Sequence, residues 1–152
     1  MKFVDKLVAA FVLLVLAVCI IVPAVSATDY SLMEKTSEGI LSDSQYNLGI
    51  IAPSVSITSY QVAVNYIGAS GTTEAIMKDI GGIVGVYWAI VNNYPEVGDL
   101  LITIEDINGN AIGTLTCQKS WVSGLDLNDT SATQRVALKV MMTTETTGAA
   151  AN

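Results

Sequence analysis

Residues 100–117 read LLITIEDINGNAIGTLTC, two largely apolar runs arranged about Asn108-Gly109. Asn-Gly favours a two-residue hairpin turn, because both positions tolerate positive φ. Counting outward from that turn pairs Ile104 with Gly113, Ile102 with Leu115 and Leu100 with Cys117 on one face, and Thr103 with Thr114 on the other. The first set is apolar or small and the second is polar, so turn chemistry and hydrophobic pattern give one register. Cys117 is therefore expected in the core as an inert thiol. Trp121, taken to continue the same run, is expected to cap one end of the core.

Working back from the hairpin, Gly68-Ala69-Ser70-Gly71 reads as a loop. Thr72 or Thr73 then offers an N-cap, with Glu74 in the first turn where negative charge suits the helix dipole. The segment to Asn93 fits a helix with Ile76, Ile80, Ile83, Tyr87 and Ile90 or Val91 on one face. Its opposite face is apolar too, so the half from Ile80 to Val91 is expected to be buried nearly all round. Gly81, Gly85 and Ala89 recur at a spacing of four. Each interior glycine costs about 1 kcal/mol against alanine, which calls for compensation. Close packing onto a sheet supplies it in one reading, and self-association between helices of two copies in the other. A strand over Ile83–Val91, rich in β-branched and aromatic residues, is the competing assignment.

The remaining elements are expected to be strands. Tyr46–Ile51 reads as a short one, stopped by Pro53. Val55 and Ile57 share one parity and Tyr60, Val62, Val64 and Tyr66 the other, so a bulge or break is expected at Ser59. Ser123–Thr133 is rich in turn formers and reads as a loop. Gln134–Glu145 alternates, with Val136, Leu138, Val140 and Met142 inward, and is read as a last strand. The resulting fold class is α+β: an N-terminal signal or anchor helix, then a two-layer domain. Its sheet is mostly antiparallel, of 4–5 strands, with one long helix packed on one face. The domain spans 46–145; 28–45 is a linker or contains a short helix, and 146–152 is a disordered tail. This element order is similar to that of profilin, roadblock and PAS domains, whose extracellular members are often small-ligand sensors. The resemblance is one of order alone, with no shared motif.

The chain opens with Lys2 and Lys6 ahead of an apolar run from Leu7 to Val25. Spanning a bilayer core takes roughly 20 apolar residues and a secretory signal about 7–15. Pro23 and the small residues of Val25-Ser26-Ala27 favour a signal peptide cut after Ala27; an uncleaved run 7–25 would be a membrane anchor. Either way residues 28–152 are exported, since positive charge stays on the cytoplasmic side. Two minority readings are lipidation at Cys19, for which Val18 is large, and a pilin-type leader cut near Lys6, for which Leu7 is large. Of the 7 basic and 14 acidic residues, two lysines and one aspartate lie in 1–27, so the remainder carries 5 against 13, a net of −8. Such a balance repels nucleic acid.

The chain has no histidine, which removes the usual general base, the common nucleophile triads and most zinc and haem sites. No glycine-rich phosphate loop with its lysine is present, and no cofactor is expected. Asp106-Ile107-Asn108-Gly109-Asn110 resembles a calcium loop faintly, but its glycine is one position early and no glutamate closes it. Asp126, Asn128 and Asp129 read as a solvated turn before a weak calcium site. An acid-pair hydrolase would have to draw on Glu96, Asp99, Glu105, Asp106, Asp126 and Asp129, and neighbours such as Glu105 and Asp106 face opposite sides of a strand. Asn128-Asp129-Thr130 matches the N-glycosylation pattern, which an exported domain makes meaningful. The expectation is a non-catalytic exported domain, extracellular or anchored to the outer face of the cytoplasmic membrane. It works through a protein partner or itself, with Gly81, Gly85 and Ala89 as the candidate self-association stripe. The competing expectation is a PAS-like small-ligand module that signals through a membrane partner.

Overall fold

Four strands lie side by side in chain order: β1 (Ile50–Ile57), β2 (Gln61–Gly68), β3 (Asp99–Glu105) and β4 (Ala111–Cys117). The computed structural model describes residues 28–126 and 129–144, so Ala27, Asn128 and the 146–152 tail fall outside the described residues. β1–β2 and β3–β4 are antiparallel hairpins, and β2 runs parallel to β3. That parallel step needs a crossover, and the 21-residue helix α2 (Thr73–Asn93) supplies it. Among the described residues three further α-helices are present: α1 (Ser31–Ser42) before the sheet, then the single turn α3 (Lys119–Val122) and α4 (Thr130–Met141) after it.

One face of the sheet is the core. Its rows run Ile57–Val62–Leu100–Cys117, Val55–Val64–Ile102–Leu115 and Tyr66–Ile104–Gly113. All eleven of these residues are buried. α2 begins where expected, with Thr72 Oγ1 accepting from Ala75 N–H at 3.3 Å, and is buried nearly all round from Asp79 to Val91. Gly82 shows why a helix tolerates glycine there: a Cβ on it would lie 2.7 Å from Leu48 Cδ1.

The β3–β4 register is the one expected at every named pair, but the turn that delivers it differs. Asp106 N–H donates to Asn110 O at 2.9 Å, so Ile107, Asn108 and Gly109 form a three-residue loop with Gly109 at φ +81°. A loop of that length would put the strands one residue out of phase. The irregularity at Ile104/Glu105, with Ile112 as the extra residue, restores the pairing. Asp106 Oδ1 holds the loop by accepting from Asn108 and Asn110 N–H at 2.8 and 2.9 Å.

Several expectations are corrected. Gln134–Glu145 is not a strand: residues to Met141 belong to α4, which bury Val136, Ala137 and Val140 at helical spacing. Leu138 and Met142, expected inward, are 47% and 86% exposed. Apolar residues stand on both parities of that segment, so alternation was never exclusive to it. α4 starts inside the expected 123–133 loop, where Asp129 accepts from Ser131 N–H at 3.0 Å as its N-cap. Tyr46–Ile51 is not a separate strand; Ser44–Tyr46 is a 3₁₀ turn, and β1 starts at Ile50 and continues past Pro53. Proline is tolerated because β1 is an edge strand and its pairing shifts between Ile51 and Ser54. The parity change at Ser59 is a hairpin turn: Thr58 Oγ1 accepts from Gln61 N–H at 3.0 Å. Ile83–Val91 is helical, and Trp121 sits on α3 beyond the end of β4, not on the strand, though it does pack half-buried against the core. Residues 31–42, where a linker or short helix was open, form α1.

Candidate functional site

The stripe at Gly81, Gly85 and Ala89 lies along α2. Gly85 and Ala89 are buried, whereas Gly81 is half-buried and has no atom within 4 Å of where a Cβ would stand. Cys117 is fully buried, and burial, with Asp99 nearby, pushes its thiol up to about 12. Of the six carboxylates considered for acid-pair chemistry, several have local structural partners. Asp99 Oδ1 accepts from Lys119 N–H at 2.8 Å, Asp106 organises its turn, and Asp129 pairs with Arg135 at 3.0 Å. Among the described residues no group of histidine, cysteine and carboxylate side chains is placed to hold a metal ion.

Sequence reasoning missed a buried polar pair. Asp79, 1% exposed, accepts from Gly49 N–H at 2.7 Å through Oδ1. Its Oδ2 and the hydroxyl of buried Tyr66 have no hydrogen-bond partner. Burial raises the titration points of both groups, and their mutual electrostatics raises that of Tyr66 further. The available signal was position: Asp79 falls three residues from Ile76 and four from Ile83, on the face expected to be apolar.

Polar side chains also close the sheet's edges. On β1, Val55 N–H donates to Glu38 Oε1 at 2.9 Å and Ile57 N–H to Glu34 Oε1 at 2.7 Å. Glu34 and Glu38 are one helical turn apart on α1, matching alternate residues of the strand. On β4, Thr143 Oγ1 accepts from Thr116 N–H at 3.0 Å and donates to Thr116 O at 3.2 Å. The sheet face opposite the core has the rows Ser56–Ala63–Leu101–Thr116 and Ser54–Asn65–Thr103–Thr114. All eight are half-buried or exposed, and charge on this face occurs at its two ends, on Asp99 and Glu105.

Two further places stand out. A groove of about 390 Å³ beside α4 is lined by Trp121, Leu125, Asp126, Asp129, Arg135 and Lys139 among others. Lys139 Nζ sits 5.7 Å from the centre of the Trp121 ring system. At the end of the sheet where β2 and β3 begin, the 94–98 loop is pinned from several sides. Tyr87 hydroxyl donates to Gly98 O at 2.8 Å, and Lys119 Nζ donates to Pro95 O. Tyr30 packs edge-on against Tyr94 with ring centres 5.1 Å apart and donates to Glu96 Oε1 at 3.0 Å. A Cβ at Gly98 would run into the carbonyl of Tyr60, whose own side chain is 87% exposed.

These features define a mixed α+β domain: a four-stranded sheet with helices, one open sheet face and two closed edges. The chain belongs to the family described as Domain of unknown function (DUF8159), whose model matches residues 36–149. No curated protein and no solved structure matches it.

Proposed function

We propose that the chain is an exported, surface- or envelope-associated domain that acts through protein contacts, self-association among them, and not through catalysis. The observation that carries this reading is the open sheet face. Its centre is uncharged, although the chain has a formal net charge of −7. Such a face costs less to desolvate than a charged one, and its serine, threonine and asparagine side chains are able to hydrogen-bond across an interface. The edges carry side-chain partners at Val55, Ile57 and Thr116, which disfavours strand addition there and leaves face-on contact as the simpler mode. Export rests on the basic leader and the apolar run 7–25, which delivers the domain and is cut after Ala27 or stays as its anchor.

Sedimentation of the purified full chain in detergent tests the contact reading. A mass that rises with protein concentration supports it; a single monomer mass up to millimolar concentration sinks it. The stripe at Gly81, Gly85 and Ala89 is a second route to association, with Gly81 as its accessible point. The groove at Trp121 supports the other reading, a PAS-like module that binds a small molecule. A compound that raises the melting temperature by mass action, with no change in association state, would favour that module.

A further inference from the structure

We propose that the chain keeps residues 7–25 as an anchor and stands on the outer membrane–water interface on its Tyr30–Tyr60–Tyr94 end, with a zwitterionic lipid surface as the partner. This rests on the export reading above and adds an orientation to it. The first support is reach. The described chain begins at Thr28, and Tyr30 is already fixed to Tyr94 and Glu96. Between Val25, where the apolar run ends, and Tyr30 an extended chain covers at most about 18 Å. Roughly 6 Å of that is taken up by the headgroup layer. A domain held on so short a tether lies against the surface that holds it.

The second support is what that end presents. Tyrosine is the residue of the membrane–water boundary, apolar along the ring and polar at its tip. Tyr60 is 87% exposed at the β1–β2 turn, beside Gly98 and therefore beside the loop that carries Tyr94. Tyr30 and Tyr94 are half-buried against the core, so Tyr60 is the ring that this end offers to a surface. The charges nearby choose the lipid. Asp29, Glu96 and Asp99 are exposed carboxylates here, set against Lys35 beside Asp29 and Lys119, which keeps its charge while donating to Pro95 O, so this end has a slight acidic excess. An anionic surface would be repelled; a net-neutral one is tolerated.

The opposite end supplies the control. β3 runs from Asp99, beside this end, to Glu105, so the Asp106–Asn110 tip stands about 20 Å further out. The experiment uses the full chain with Cys19→Ala, Cys117 being buried, reconstituted into phosphatidylcholine vesicles. Tyr60→Cys or Asn108→Cys carries an environment-sensitive fluorophore, and the quencher is phosphatidylcholine with a nitroxide on its headgroup. The expected result is at least a twofold loss of emission for the label at position 60 and none at position 108. Vesicle-bound protein with no quenching at 60, or with equal quenching at both positions, overturns the orientation while leaving the anchor. A chain from the native host that begins at Thr28 and stays soluble overturns the anchor, and the orientation with it.

Discussion

Asp79 has one oxygen engaged and one idle. Oδ1 accepts from Gly49 N–H at 2.7 Å, while Oδ2 is buried without a partner. Burial raises its titration point above the ordinary aspartate range, against the opposing pull of Gly49 N–H and of Lys78; Tyr66 is the other titratable group coupled to it. The sign follows from linkage. A raised value in the folded state means stability that is fully present below the unfolded value and is lost as pH rises through the folded one. Asp79→Asn keeps an acceptor for Gly49 and removes the ionisation. The variant should therefore melt higher than the parent at pH 7–8, and the two should converge near pH 3. A lower melting point for the variant at pH 8 would mean that the ionised form is the one the fold needs. Gly49 belongs to the same device, since a Cβ there would stand 3.2 Å from Asp79 Oδ2.

Among the elements, α1 does work that its sequence conceals. Met33, Ser37 and Leu41 are buried, and Glu34 and Glu38 beside them accept from the outer N–H groups of β1. A hydrogen bond to a charged acceptor contributes about 1.5–3 kcal/mol where it is shielded, and less where water can replace it. Glu34→Ala and Glu38→Ala should each cost about 1–2 kcal/mol in denaturant titration, and the glutamine variants, which keep an acceptor, clearly less. Equal losses for alanine and glutamine would assign the effect to charge alone. On α2 the glycines separate. Gly81→Ala meets nothing and should stabilise by about 0.5–1 kcal/mol, whereas Gly82→Ala must displace Leu48 and should gain less or lose.

The same elements show what the sequence could disclose. The β3–β4 pairing was legible because a strong turn signal and a clean alternation coincide, so strongly that the register survives a different loop. The long helix was legible through Thr72, Glu74 and its unbroken apolar length. α4 was not, because Val136, Leu138, Val140 and Met142 offer a strand's alternation while Val136, Ala137, Val140 and Met141 offer a helical face, and the Asp129 cap is what distinguishes them. α1 was left open because its apolar residues are few, and its role lies in two glutamates aimed at a strand across the chain. The Asp79–Tyr66 pair depends on tertiary burial, which no local pattern reports.

At the scale of the whole molecule, anchoring and self-association form one proposal about geometry. With the Tyr60 end down, the strands stand upright on the membrane and the open sheet face points sideways, toward neighbouring copies. Four strands about 4.8 Å apart and about 7 residues long make a face of about 400 Å². Two such faces bury well below the roughly 1,200 Å² of a stable interface, so association in solution should be weak, on the order of 10–100 µM. Confinement on a bilayer raises the effective concentration and lets so weak a face operate. Asn65 is exposed at the middle of the face, paired with Ser54 on one side and Thr103 on the other. Asn65→Glu sets like charges opposite each other in a face-to-face pair, and should weaken association at least tenfold with an unchanged circular-dichroism spectrum. Energy transfer between labelled chains in vesicles, diluted with unlabelled Asn65→Glu protein, reads the same contact in the membrane. Association that persists in the variant would move the contact off the sheet and onto α2, where Gly81→Leu would then have to abolish it.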